Sequence, residues 1–94
     1  MPARHKWTEE DDIVALYLFR FGDDSLSLPL DDIGAMLGMG AGSLLMRIGN
    51  FRAIDGGGGL SNYARQSKEI FEKHKATPKG DLRITVEKII SAAR

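Results

Sequence analysis

Residues 30–51, LDDIGAMLGMGAGSLLMRIGNF, contain two helical patterns of apolar residues separated by a short turn rich in glycine. The apolar positions are Leu30, Ile33, Met36 and Leu37 in the first pattern and Leu44, Ile48 and Phe51 in the second. Gly38 is typical of a helix end, and Met39-Gly40 is short enough to join two helices at a steep angle. The stretch therefore predicts a helix-turn-helix whose last helix spans about 41–53.

A first helix is predicted upstream of this stretch. Thr8 followed by Asp11 resembles a capping box, in which the side chains and backbone amides of two residues bond reciprocally. The apolar positions that follow, at helical spacing, are Ile13, Leu16, Tyr17 and Phe21. Gly22 supplies a stop, and Pro29 suits the first turn of the second helix.

Two further helices are predicted towards the C-terminus. After the break at residues 56–59, Leu60-Ser61 opens a fourth helix with Tyr63, Ser67, Ile70, Phe71 and His74 on one side. Residues 77–80 form a linker, and Asp81 caps a fifth helix carrying Leu82, Val86, Ile89, Ile90 and Ala93. A strand at residues 82–86 is the weaker alternative.

The predicted fold is all-α, with a three-helix helix-turn-helix core and two additional C-terminal helices. Residues 1–76 are expected to hold the core and the fourth helix. Residues 77–94 either belong to the same compact unit or serve as a dimerisation element.

Composition excludes several classes of function. The 94 residues suit one domain, and the lack of cysteine rules out disulfides and thiolate chemistry. No apolar run approaches the roughly 18 residues of a membrane span, and the N-terminal residues do not resemble a signal peptide, so we expect a cytoplasmic protein.

The net charge is zero, but residues 1–32 carry −5 and residues 33–94 carry +5. A basic face is therefore compatible with overall neutrality.

Two sets of motifs carry a family resemblance. WTEED (residues 7–11) followed by IGAMLG (residues 33–38) resembles the Myb/SANT class of three-helix DNA-binding domains. SLLMRIGNF (residues 43–51), Ile54-Asp55 and GLSN (residues 59–62) resemble the N-terminal module of bacterial HNH-type restriction endonucleases. The likeness covers about residues 7–72 and implies a prokaryotic or phage protein that binds DNA.

The sequence departs from that family in two places. Its turn is Gly38-Met39-Gly40 where the family has Gly-Arg-Thr, which removes an arginine and a hydroxyl that would contact phosphate or cap the helix. The clustered histidines and metal-binding residue of an HNH nuclease are also missing, so we expect no DNA cleavage.

The outer face of the predicted third helix supplies the candidate contacts to DNA. Asn50 suits an adenine edge, and Arg47 suits guanine or phosphate. Ser43 is a candidate phosphate contact, and Met46 could meet a pyrimidine methyl group, bind a protein, or lie under the fourth helix. The residues expected to position the domain on phosphates are Arg4, Lys6, Arg52, Arg65 and Lys68.

No catalytic, metal or cofactor site is expected. His5 and His74 are too few for a metal site, and residues 56–59 lack the lysine and hydroxyl of a phosphate-binding loop. The sequence predicts a non-catalytic protein that binds double-stranded DNA, as a transcription regulator or accessory factor, without membrane association. The alternative is a SANT-like protein-interaction module that uses Leu45 and Met46, and a homodimer through the last helix is a further option.

Overall fold

The computed structural model describes residues 5–56 and 64–93, which form five α-helices and no strand. The helices are α1 (Glu9–Phe21), α2 (Leu30–Leu37), α3 (Gly40–Gly56), α4 (Arg65–His74) and α5 (Lys79–Ala93). The all-α prediction is confirmed, and the alternative of a strand at residues 82–86 is wrong, because these residues are helical. The predictions for Arg4, for GLSN (residues 59–62) and for Tyr63 lie outside the described residues.

The ends of α1 form as the sequence predicts. The Thr8 hydroxyl accepts a hydrogen bond from the Asp11 amide at 3.1 Å, and the Asp11 carboxylate accepts one from the Thr8 amide at 3.1 Å. This is a complete capping box, so two amides at the helix start are satisfied. At the other end, Gly22 has a positive φ of 74° and donates to the Leu18 carbonyl.

The bounds of α2, α4 and α5 differ from those predicted. Helix α4 begins at Arg65, after Ala64 in an extended conformation, so the prediction that Leu60-Ser61 opens this helix is wrong. Pro29 is the N-cap residue of α2 and does not lie in its first turn. The Leu30 amide donates a hydrogen bond to the Asp23 carboxylate at 2.7 Å. Helix α5 begins at Lys79, so Asp81 lies within the first turn and does not cap the helix. An acid in that position still favours the helix electrostatically.

The turn between α2 and α3 depends on three glycines. Gly38 ends α2 with a φ of 94°, in the left-handed region, and Gly40 begins α3 with a φ of 82°. A Cβ atom on Gly34 would lie 2.8 Å from the backbone carbonyl carbon of Gly40. Helix α2 therefore approaches the start of α3 more closely than would be possible with a side chain at position 34.

Helix α1 lies at the centre of the fold and packs against α3, α4 and α5, while α2 packs against α3 and α5. The fully or almost fully buried core residues are Val14, Ala15, Leu16, Tyr17, Leu18, Ile33, Met39, Leu44, Ile48, Phe51, Ile70, Phe71, Leu82, Val86, Ile89 and Ile90. Four of these come from α5, so the last helix contributes to the same core as the first three.

The glycines of this region predict opposite effects of the same substitution. Gly34→Ala should lower the free energy of unfolding by about 1–3 kcal/mol, because the new methyl group meets backbone atoms that cannot rotate away. Gly42→Ala, at an exposed helical position with open space around it, should raise that free energy by about 0.5–1 kcal/mol. Urea titrations of both variants test this. Equal effects of the two substitutions would contradict the close approach.

Candidate functional site

A buried carboxylate joins three helices at one edge of the core. Asp12 on α1 is fully buried, and each of its carboxylate oxygens accepts two hydrogen bonds. Oδ1 accepts from Arg47 Nε at 2.7 Å and from Ser67 Oγ at 2.9 Å. Oδ2 accepts from Arg47 Nη2 at 2.8 Å and from Gln66 Nε2 at 2.7 Å. The charge is thus paired and fully hydrogen-bonded, as a buried charge must be.

The same arginine holds the segment that precedes α1, residues 5–8, which we call the N-terminal arm. The Arg47 guanidinium carbon lies 4.5 Å from the centroid of the Trp7 ring, and Gln66 Nε2 also donates to the Trp7 carbonyl. The His5 ring meets the Trp7 ring edge-on at 5.4 Å, and His5 Nε2 lies 2.8 Å from Asp11 Oδ2. Aromatic, cation–π and polar contacts therefore fix the arm against α1 and α3.

Arg47 was predicted to present a free side chain on the outer face of α3, but its guanidinium is mostly buried and turned towards α1. Only 13% of its side chain is exposed, and two of its three guanidinium nitrogens bond to Asp12. Asp12, in the first turn of α1, is the fully buried partner of this arginine. The physical reason is that the buried Asp12 carboxylate needs a paired, hydrogen-bonded cation, and a long side chain beside the apolar stripe of α3 can reach it.

The remaining outer face of α3 is open. The Met46 side chain is 78% exposed, Ser43 is exposed and Asn50 is partly exposed. Met46 therefore does not lie beneath α4, which was one of the options left open for it. These residues and the arm line a cavity of about 300 Å³, here called the arm–α3 cavity, whose lining is His5, Trp7, Ser43, Met46, Arg47 and Asn50.

The other predicted phosphate contacts do not line this cavity. Arg52 and Lys6 are exposed on α3 and on the arm. Arg65 on α4 is 94% exposed and pairs loosely with Glu69 at 3.5 Å, and Lys68 is exposed on the same helix. Four of the nine predicted contacts line the cavity, namely Ser43, Met46, Arg47 and Asn50. Arg52, Lys6, Arg65 and Lys68 lie elsewhere on the surface, and Arg4 lies outside the described residues.

Charge is distributed unevenly around α3. No acid occurs from Gly40 to Ile54, and Asp55 is the first acidic residue of the helix. The first turns of α1 and α2, by contrast, carry Glu9, Glu10, Asp11 and Asp12 and then Asp31 and Asp32. The outer face of α3 is therefore free of its own negative charge.

The described residues contain no metal-binding cluster, and the histidine that lines the cavity, His5, contacts the Asp11 carboxylate. Within residues 5–56 and 64–93 no group of three or more His, Cys, Asp or Glu is placed to hold a metal ion. Burial of the ring and the neighbouring Lys73 lower the pKa of His74, but this residue lies at the end of α4, outside the cavity lining. In the same ranges no helix is long and apolar enough to cross a bilayer.

The chain matches no family model, no curated protein and no solved structure. The resemblance to the Myb/SANT class and to the endonuclease module therefore rests on the sequence motifs alone and remains a prediction.

The geometry of the Asp12–Arg47 pair predicts that lysine cannot replace the arginine. Arg47→Lys retains the charge but loses the bidentate contact and the stacking on Trp7, so the free energy of unfolding should fall by about 1–3 kcal/mol. Arg52→Lys, an exposed position on the same helix, should change it by less than about 0.5 kcal/mol. Thermal and urea unfolding of both variants measure the difference. An Arg47→Lys protein as stable as wild type would show that the pair is not formed in solution.

Proposed function

We propose that this chain is a non-catalytic DNA-binding protein in which α2, the turn and α3 act as a helix-turn-helix, with α3 as the reader helix. The observation that carries the proposal is the outer face of α3, which is exposed, has no acid before Asp55 and presents Ser43, Met46 and Asn50. These three residues follow one another at intervals of three and four, so they share one face of the helix.

The connection between α2 and α3 supports this proposal. Only Gly38 and Met39 separate the two helices, both glycines beside Met39 have positive φ, and Gly34 lies against the backbone of Gly40. A short glycine-containing turn with close helix approach is typical of helix-turn-helix units. A 17-residue helix is about 25 Å long, and a major groove about 12 Å wide admits one such helix.

Because Arg47 is bound to Asp12, the residues proposed to contact DNA differ from those predicted from the sequence. Asn50 and Ser43 become the polar groups of α3 that can reach base edges, because both are accessible on its outer face. Arg52 and Lys6 are the exposed cations of α3 and the arm, so we assign phosphate contacts to them, with Arg65 and Lys68 of α4 as further positioning residues. Arg47 acts by holding the arm and α3 together.

The family resemblance supports the biological setting of the proposal. A module similar to the DNA-binding part of an HNH-type endonuclease suits a cytoplasmic transcription regulator or accessory factor of a prokaryote or phage. Its target is double-stranded DNA.

A second candidate function is a SANT-like protein-interaction module. The observation that favours it is the exposure of two large apolar side chains on α3, with Leu45 55% and Met46 78% exposed. Exposed apolar residues in neighbouring positions are typical of protein interfaces, although two residues form only a small patch. Titration with duplex DNA separates the two candidates, because a module that binds only protein is not expected to bind duplex.

The proposal predicts salt-dependent binding to a fluorescently labelled duplex of random sequence. In fluorescence anisotropy at low salt the Kd should be micromolar or lower, and it should rise steeply as salt is added, since phosphate contacts release counterions. Arg52→Ala should weaken binding and reduce the slope of log K against log salt by about 1. Lys88→Ala, an exposed cation on α5, is the matched control and should leave affinity and slope unchanged.

Two outcomes would count against the DNA proposal. The first is no binding at about 10 μM protein and low salt, where even non-specific DNA binders are expected to associate. The second is an equal loss of affinity in Arg52→Ala and Lys88→Ala, which would indicate charge attraction without a defined face.

A further inference from the structure

We propose that the arm–α3 cavity binds a single unpaired nucleobase of the DNA, with adenine preferred. The inference rests on the proposed function, since it concerns the same face of α3. Three properties of the cavity support it, namely its charge, its walls and its polar groups.

The charge of the cavity disfavours an anion. Arg47 is its one permanently charged lining residue, and that charge is neutralised by the fully buried Asp12 at 2.7 Å. No lysine lines the cavity, and His5 Nε2 already contacts Asp11. A phosphate gains most from unneutralised cations, so the arrangement suits a neutral ligand better.

The walls of the cavity suit a flat ring. The Arg47 guanidinium carbon lies over the Trp7 ring, 4.5 Å from its centroid, and Met46 supplies a polarisable apolar wall beside them. Indole rings and guanidinium planes are the surfaces on which unpaired bases stack. A volume of about 300 Å³ lies at the small end of ligand cavities, which fits one base better than a larger ligand.

The polar groups of the cavity favour adenine. The Asn50 amide offers a donor and an acceptor side by side, the pair that matches an adenine edge. Ser43 adds a hydroxyl that can donate or accept. Both residues lie on the reader helix at the same face as Met46, so a base displaced from the duplex in contact with α3 would reach the cavity directly.

Pairing of the guanidinium with Asp12 also means that the cavity is formed before any ligand arrives. Because Asp12, Gln66 and Trp7 all contribute to holding the guanidinium and the arm, the stacking surface needs no rearrangement on binding. Arg47 is then a positioning residue for the arm as well as a wall of the cavity.

Three duplexes of one sequence test the proposal with the intact chain. The first is fully paired, the second carries one extra unpaired adenine, and the third has an abasic residue in place of that adenine. The abasic duplex keeps the backbone distortion and lacks only the base. Competition anisotropy measures the three affinities, and Trp7, the single tryptophan of the chain, reports occupancy of the cavity by its fluorescence.

We expect the adenine duplex to bind at least about 5-fold more tightly than the abasic duplex and to change the Trp7 emission, because one stacked base contributes that much. Asn50→Ala and Met46→Ala should each reduce this ratio towards 1. Ile84→Ala, which removes a 54%-exposed apolar side chain from α5, is the matched control and should keep the ratio. Circular dichroism confirms that each variant is folded.

Equal affinities for the adenine and abasic duplexes would overturn the inference. If the fully paired duplex still bound with the expected salt dependence, the proposed function would stand and only the base-binding role would fail. If none of the three duplexes bound, the proposed function would fail together with the inference. A retained ratio in both Asn50→Ala and Met46→Ala would place the base outside this cavity and also overturn it.

Discussion

The contact between Asp12 and Arg47 is the interaction on which the rest of the structure depends. A carboxylate with no exposure to solvent is costly unless it is paired and hydrogen-bonded, and here four donors from α3 and α4 satisfy it. Because the donors come from two helices and the acceptor from a third, the contact sets the rotation of α3 about its own axis. It thereby decides which residues of α3 face outward.

A second constraint, between α2 and α3, acts at the start of α3. Gly34 allows the backbones to approach so closely that a methyl group would clash, and Gly38 and Gly40 supply the left-handed conformations of the turn. The glycines fix the start of α3 and the buried ion pair fixes its middle. Between them they leave Ser43, Met46 and Asn50 as a continuous exposed row, which is the basis of both proposals.

The sequence predicted the helices well because their signals are local. A capping box, apolar residues at intervals of three and four, and glycines at helix ends each act within one or two turns, and the structure shows them at Thr8, Gly22 and Gly38. The bounds of α5 were less well predicted, since Asp81 is equally acceptable as a cap or in the first turn.

The ion pair was missed because it is a long-range contact, 35 residues apart in the chain. A weak signal existed. Arg47 lies three residues after Leu44 and four before Phe51, and Asp12 lies four before Leu16, so both charges border the buried stripes of their helices. Only the packing of α1 against α3 shows that Asp12 and Arg47 lie next to each other. The same packing places Trp7 against Arg47 and His5 against Trp7.

A double-mutant cycle on the free energy of unfolding tests the central claim most directly. Asp12→Ala, Arg47→Ala and the double variant are each unfolded in urea and compared with wild type. The account predicts that the double variant loses less than the sum of the single variants, with a coupling energy of about 2–3 kcal/mol, because each single variant leaves a buried group without its partner. A coupling energy below about 0.5 kcal/mol would contradict it, since independent sites add within that margin.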